Sequence, residues 1–342
     1  MKNWIARLFG VAPRRAGSPA DQAATPASAP AATPEATPAA QSEPALSDPG
    51  PEVDRRFYCW LAGNIAHEAA PATEALILAE LARLARSPAV AAELVPRVPA
   101  VIPDLLRSLR DEDVSGADIA RLVAQDVVLV GEVIREANSS WYRPPTPVRT
   151  IDGALILLGR NGLRMLLARV AFRPVLSMQP GRFAKQVAPP IWRQSEKCAL
   201  AASTLAPTTG ADPFEAFLAG LVQNVGLIVA FRLIDQVCHD AVLPASGSFV
   251  AALFEYARRM AHGIALHWEF PETVAGAILE GSRADATPLA QVLATGDRLA
   301  KLRLLVDAGA MAPDDPAVAA IVGTRLRPCY DRLADQPGTE DD

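Results

Sequence analysis

From Phe214 to Leu233 the chain sets Phe214, Phe217, Leu218, Leu221, Val222, Val225, Ile228, Val229 and Leu233 at helical spacing. Alanine and glycine fill much of the space between them. A helix that is apolar on most of its sides has no stable place at a surface and must be enclosed by other helices. Gly220 and Gly226 let such neighbours approach closely. In the middle of this stretch, Gly220-Leu221-Val222-Gln223-Asn224-Val225-Gly226, two carboxamides stand side by side. This stretch calls for helices packed around it on most sides, and it poses the question of what buried amides are for.

Half of the 342 residues are hydrophobic, enough for a substantial core or two packed subdomains. The formal charge of −5 argues against a surface devoted to a polyanion, so no nucleic acid is expected as a partner. Cys59, Cys198, Cys238 and Cys329 are scattered, with no CxxC spacing, and read as thiols of a reducing cytoplasm. No uninterrupted apolar run of about eighteen residues occurs, and no transmembrane helix is expected.

Organisation follows from composition. In residues 1–15, Trp4, Ile5, Leu8 and Phe9 share one arc of a helical wheel, with Lys2, Arg7, Arg14 and Arg15 as a basic flank. Such a segment suits an anionic membrane surface or a partner's groove; the plain alternative is a frayed terminus. Residues 16–52 are rich in Ala, Pro, Ser and Thr and read as a disordered tether. Residues 53–95 carry apolar residues at helical spacing, interrupted by Pro71, and predict two helices packed on the main domain. Residues 96–333 form the main helical domain, and 334–342 an acidic, frayed tail.

Within the main domain, Ser115 is expected to cap a helix with Asp118 in its first turn. A further helix runs to a stop at Ala137-Asn138-Ser139-Ser140, and Thr150 or Asp152 begins the next. Pro189-Pro190 is expected to precede a helix carrying Trp192, Ser195 and Cys198. Asp212 with Pro213 opens the helix that runs through the amide motif. A last long helix takes Leu289 to Leu305.

Taken in order, Pro99 and Pro103, Gln125-Asp126, Ala137-Asn138-Ser139, Ile151, Ala154, Leu158-Gly159, Trp192, Ser195, Gly220-Leu221, Gly226, Trp268 and Pro271 resemble the HDOD family, the HD-related output domains of bacterial signalling. The resemblance covers roughly residues 96 to 305. It implies an all-helical fold with an N-terminal helical subdomain and an HD-like C-terminal one, and a regulatory or scaffolding role in place of hydrolysis. Where metal-dependent HD phosphohydrolases carry ligands, this sequence has Gln194, then Gln223-Asn224 for the paired His-Asp. Further on it has Ala257, Gly281 and Ser282, and it keeps Asp297 alone as an acid. An amide has neither the negative charge of a carboxylate nor the lone pair of an imidazole, so no metal or other cofactor is expected. Gln223 and Asn224 then either cross-link helices by hydrogen bonds or line a remnant pocket.

Other chemistries find no support. His262 and His267 are five residues apart, poor geometry for shared ligation on a helix, and GxSxG, GxxxxGK[ST] and GxGxxG motifs are absent. The candidate interaction surface is Asn138, Trp141, Tyr142, Arg143 and Arg149, with Asn138 also fitting a local turn. Arg160, Arg164, Arg169 and Arg173 add positive charge suited to an acidic partner or a phosphorylated ligand. The expected function is a non-catalytic, cytoplasmic signalling or scaffold protein contacting signalling proteins, peripheral at the inner membrane face if residues 1–15 anchor it. The alternatives are an HD-type phosphohydrolase with an unrecognised site, or a module sensing a small nucleotide.

Overall fold

The computed structural model describes residues 49–63, 71–95, 115–124, 127–139, 144–177, 180–237, 243–281, 283 and 285–334, all within one compact unit. The proposed N-terminal helix, residues 16–48 of the tether, the Pro99–Pro103 segment, Gln125-Asp126, Trp141 to Arg143 and the acidic tail from 335 lie outside them, whereas residues 50–52, expected in the tether, already belong to the first helix.

Among the described residues there is no β-strand, and the helices follow one another through the chain. α1 (Gly50–Leu61), α2 (Pro71–Ala85) and α3 (Pro88–Glu93) come first. Two helices were expected here; the third exists because Pro88 stands at a first-turn position behind Ser87 and restarts the helix. These helices share the main core. Phe57 and Tyr58 are fully buried, and the Tyr58 hydroxyl donates to the Pro244 carbonyl at 2.6 Å.

α4 (Gly116–Val123) starts as its sequence predicts. The Ser115 hydroxyl accepts from the Asp118 amide at 3.2 Å, and the Asp118 carboxylate accepts from the Ser115 amide, also at 3.2 Å. α5 (Val127–Ala137) ends at Asn138. α6 (Ile151–Ser177) is capped by the Thr150 hydroxyl, which accepts from the Gly153 amide at 3.0 Å, and it bends at Gly159, whose φ of 67° favours glycine.

α7 (Phe183–Leu205) is the helix around which the second half assembles, and it corrects the expected boundary. It begins before Pro189 and Pro190, so the prolines lie inside it. Two forces offset the amides they lack. Phe183, Ala184, Val187 and Ala188 are buried, and the Asp235 carboxylate accepts from the amides of Arg182, Phe183 and Ala184 at 3.1, 2.7 and 2.9 Å. That carboxylate serves as the helix's cap from a distant element.

α8 (Pro213–Val222) is capped by Asp212, which accepts from the Glu215 amide at 2.7 Å, and α9 (Val225–Val237) follows it. The single helix expected through the amide motif is thus two, broken at Gln223-Asn224. By length and composition Pro213–Val237 could cross a membrane, but 89% of its apolar window is buried inside the fold. It is the core stretch that its composition demands.

α10 (Gly247–His267), α11 (Glu272–Glu280) and α12 (Pro288–Asp307) enclose α8 and α9. α12 is the last long helix, and two short ones, α13 (Pro316–Val322) and α14 (Arg327–Arg332), fold back on it. They form a smaller core, in which Val53 of α1 meets Leu302, Val318 and Tyr330. Backbones touch at two glycines. A Cβ on Gly220 would stand 2.6 Å from the Ala199 backbone of α7, and one on Gly226 would stand 1.9 Å from the Ala257 carbonyl oxygen of α10. The tight pack of α7, α8, α9 and α10 positions the amide motif.

Candidate functional site

The break between α8 and α9 turns Gln223 and Asn224 toward α7 and α12, and the four degenerate positions come together there. Gln194 is fully buried and Asn224 nearly so. The Asn224 carboxamide donates to Gln194 Oε1 and, at 3.0 Å, to Ser195 Oγ. Gln194 Nε2 donates to Asp297 Oδ1 at 2.7 Å, and Gln223 Nε2 reaches the same oxygen at 3.2 Å. Gln223 also lies 2.9 Å from Cys198 Sγ. The amides therefore satisfy one another and the acid, which is the cross-linking role weighed for them above.

Two residues that sequence reasoning missed complete the cluster. Lys301 of α12 is buried, and its Nζ donates to Asp297 Oδ2 and to Asp54 Oδ1 of α1, each at 2.6 Å. Burial acts to lower the pKa of Lys301, but the adjacent Asp297 and Asp54 carboxylates outweigh it and hold the ammonium above the ordinary lysine value. The available signal was the four-residue spacing of Asp297 and Lys301 on a largely apolar helix. Asp54 carried none.

The residues do not fit a divalent metal. Such an ion needs several lone pairs from imidazole, carboxylate or thiolate. Here the amide nitrogens aim hydrogens at Asp297, the Oδ2 of Asp297 meets an ammonium, and burial followed by the Asp297 charge pushes the Cys198 thiol well above its ordinary value. Ala257, where a histidine would stand, gives its carbonyl to the Gly226 contact, and Gly281 ends α11 with a φ of 57°. Ser282 lies outside the described residues. His262 Nδ1 lies 2.9 Å from the Ala275 carbonyl, and His267 is exposed. Among the described residues no group of three or more His, Cys, Asp or Glu is placed to hold a metal.

Asn224→Ala is expected to cost about 1–3 kcal/mol, since it strands Gln194 Oε1 and the Ser195 hydroxyl in the core. Gln223→Ala, at a partly exposed position, should cost less. Denaturant unfolding of both variants checks the order.

The proposed surface changes character. Asn138 donates to the carbonyls of Ile134 at 2.8 Å and Val148 at 2.7 Å, and its Oδ1 accepts from the Val148 amide at 2.7 Å. It clamps the end of α5 to the chain entering α6. Arg149 is exposed. The arginines are internally engaged: Arg169 pairs with Glu136 and Glu196, Arg173 lies 3.8 Å from Glu136, and the buried Arg164 stacks over Phe214 at 4.1 Å. Burial pushes the Glu196 carboxyl up, opposed by Arg169. Only the arginines were visible in the sequence pattern, not the carboxylates that meet them.

The family model described as the HDOD domain matches residues 95–283, more than half of the chain. An HDOD domain protein of unknown function from Geobacter sulfurreducens has a similar structure, with a TM-score of 0.53 at 23% identity over 73% of this chain and 87% of that one. A Shewanella amazonensis SB2B protein, provisionally named a metal-dependent phosphohydrolase, gives a TM-score of 0.51 at 17% identity over 77% of this chain and 98% of its own. At these identities the likeness is one of fold. An uncharacterized protein of Treponema pallidum (strain Nichols) is 28% identical over 155 residues, 45% of this chain but only 29% of its own length.

Proposed function

The chain belongs to the HDOD family, and from that premise we propose that it is a non-catalytic regulatory protein acting through contacts with other proteins of a signalling system. The observation that carries this reading is the closed network at the four degenerate positions. Hydrolysis of a phosphoester needs a water activated by a metal or by a general base. Asp297, the one acid among the four, accepts from Gln194 and Gln223 on one oxygen and from Lys301 on the other, so both of its oxygens already face hydrogen-bond donors. The engagement of Arg169 and Arg173 by carboxylates counts against the nucleotide-sensing alternative, since a phosphate would have to compete for them.

A cytoplasmic location belongs to the same proposal. So does a contact of Trp4, Ile5, Leu8 and Phe9 with the inner membrane face or with a partner.

The test is a phosphodiesterase and phosphomonoesterase assay of the purified protein with Mg2+, Mn2+ or Fe2+. The expected result is no turnover above buffer. Metal-dependent turnover that disappears with chelator and in Asp297→Asn would contradict the proposal.

A further inference from the structure

A site that had only lost its metal ligands would be free to fill with carbon. This one instead buries a charge. The Lys301 side chain is 4% exposed, although an unpaired ammonium in such surroundings costs several kcal/mol. Its nitrogen contacts Asp297 of its own helix and Asp54 of α1, each at 2.6 Å, and it lies over two aromatic rings, Phe254 of α10 at 4.8 Å and Phe57 of α1 at 5.7 Å. The second oxygen of Asp297 is held by Gln194 and Gln223. The charge is therefore compensated from several elements, in a setting built for it.

We propose that Lys301 is the resident cation of this site, its ammonium lying between Asp297 and Asp54 beside the degenerate positions, in a cage that selects an ammonium over a metal. Selectivity follows from the ring faces. An aromatic quadrupole attracts an organic cation but offers no lone pair to Mn2+, Zn2+ or Mg2+, which require oxygen, nitrogen or sulfur donors. The ammonium also links α1 to α12. This inference deepens the non-catalytic reading and rests on it: the metal's charge has been replaced, and the replacement closes the site.

Chemical rescue tests the cage. Thermal unfolding of the full chain is followed for wild type, Lys301→Ala and the triple variant Lys301→Ala/Asp54→Asn/Asp297→Asn. Each is measured in ethylammonium chloride, in KCl of equal ionic strength, and in about 1 mM Mn2+. Lys301→Ala should lower the midpoint by roughly 10 °C. Ethylammonium should recover part of that loss relative to KCl, with no such gain in wild type or the triple variant, and Mn2+ should not match it.

A Lys301→Ala midpoint equal to wild type, an equal ethylammonium effect on all three proteins, or recovery by Mn2+ but not by ethylammonium would each overturn the proposal. Should Lys301→Ala fail to fold, Lys301→Met and Lys301→Met/Asp54→Asn/Asp297→Asn keep the volume and decide the matter. The neutral triple should be the more stable of the two, and the reverse order overturns the proposal. Turnover by wild type would sink the non-catalytic reading while leaving the rescue pattern to be judged on its own.

Discussion

Replacing Gly226 by alanine is expected to force α9 away from α10 and to destabilise the protein by about 3 kcal/mol or more, at or beyond the upper end of the usual cost of overpacking. The added Cβ would stand 1.9 Å from the Ala257 carbonyl oxygen, and 2.8 Å from both the Ala257 carbonyl carbon and the Ala261 amide nitrogen. All three are backbone atoms within a helix, so no side-chain rotation relieves the clash. The gain in helix propensity from glycine to alanine, roughly 1 kcal/mol, opposes the loss without offsetting it. Gly276 of α11 provides the control, because a Cβ there meets nothing within 4 Å. Gly276→Ala should leave stability unchanged or raise it by up to about 1 kcal/mol. Denaturant midpoints of the two variants measure the contrast. A loss below about 1 kcal/mol at Gly226 would contradict the tight α9–α10 contact.

Lys301→Met is expected to cost about 3–5 kcal/mol, the usual cost of breaking a buried ion pair from one side. Methionine keeps most of the volume, so the loss is chiefly electrostatic. Asp54 and Asp297 would face each other across the vacated position, and the rings of Phe254 and Phe57 would lose their cation. The pH dependence has a definite sign. The folded-state pKa of Lys301 is raised, so the ammonium's contribution is complete below the ordinary lysine value and is lost only as pH rises through the higher folded one. The stability gap between wild type and Lys301→Met should therefore stay flat from neutrality to about pH 10 and narrow only in stronger alkali. Urea titrations across that range check it, and a gap that closes between neutrality and pH 10 would refute the buried ammonium.

Much of the fold could be read from the residues. Ser115 and Asp212 begin helices where their side chains accept backbone amides, and Asn138 ends one because its carboxamide can bond the last turn. The misreadings have physical causes. Local rules end or begin a helix at Pro189-Pro190, but Asp235, about fifty residues away in sequence, caps the amides upstream, and the core holds Phe183 and Val187. The break at Gln223-Asn224 lies in a stretch whose apolar spacing continues on both sides, so periodicity alone reads straight through it. The C-terminal α13 and α14 are too short for periodicity to single out.

The site was half legible. The resemblance picked out Gln194, Gln223 and Asn224 as changed positions and Asp297 as the acid that is kept, and they do meet. Lys301 left only the four-residue spacing from Asp297 as a signal, since a lone lysine in a helix ordinarily reads as solvated. Asp54, 247 residues from Lys301 in sequence, joins it only through the fold. The arginines misled in the same way, because pairing with Glu136 and Glu196 is a tertiary fact.

The central claim is that the HD-like positions have become a closed, internally charged core with no vacancy for a divalent ion. Its most direct test is an amide NMR spectrum of the wild-type protein titrated with Mn2+, read by paramagnetic broadening. The expected result is no saturable broadening centred on Ser195, Asn224 and Asp297 at one equivalent. Broadening that spreads from these residues and saturates at one equivalent would contradict it.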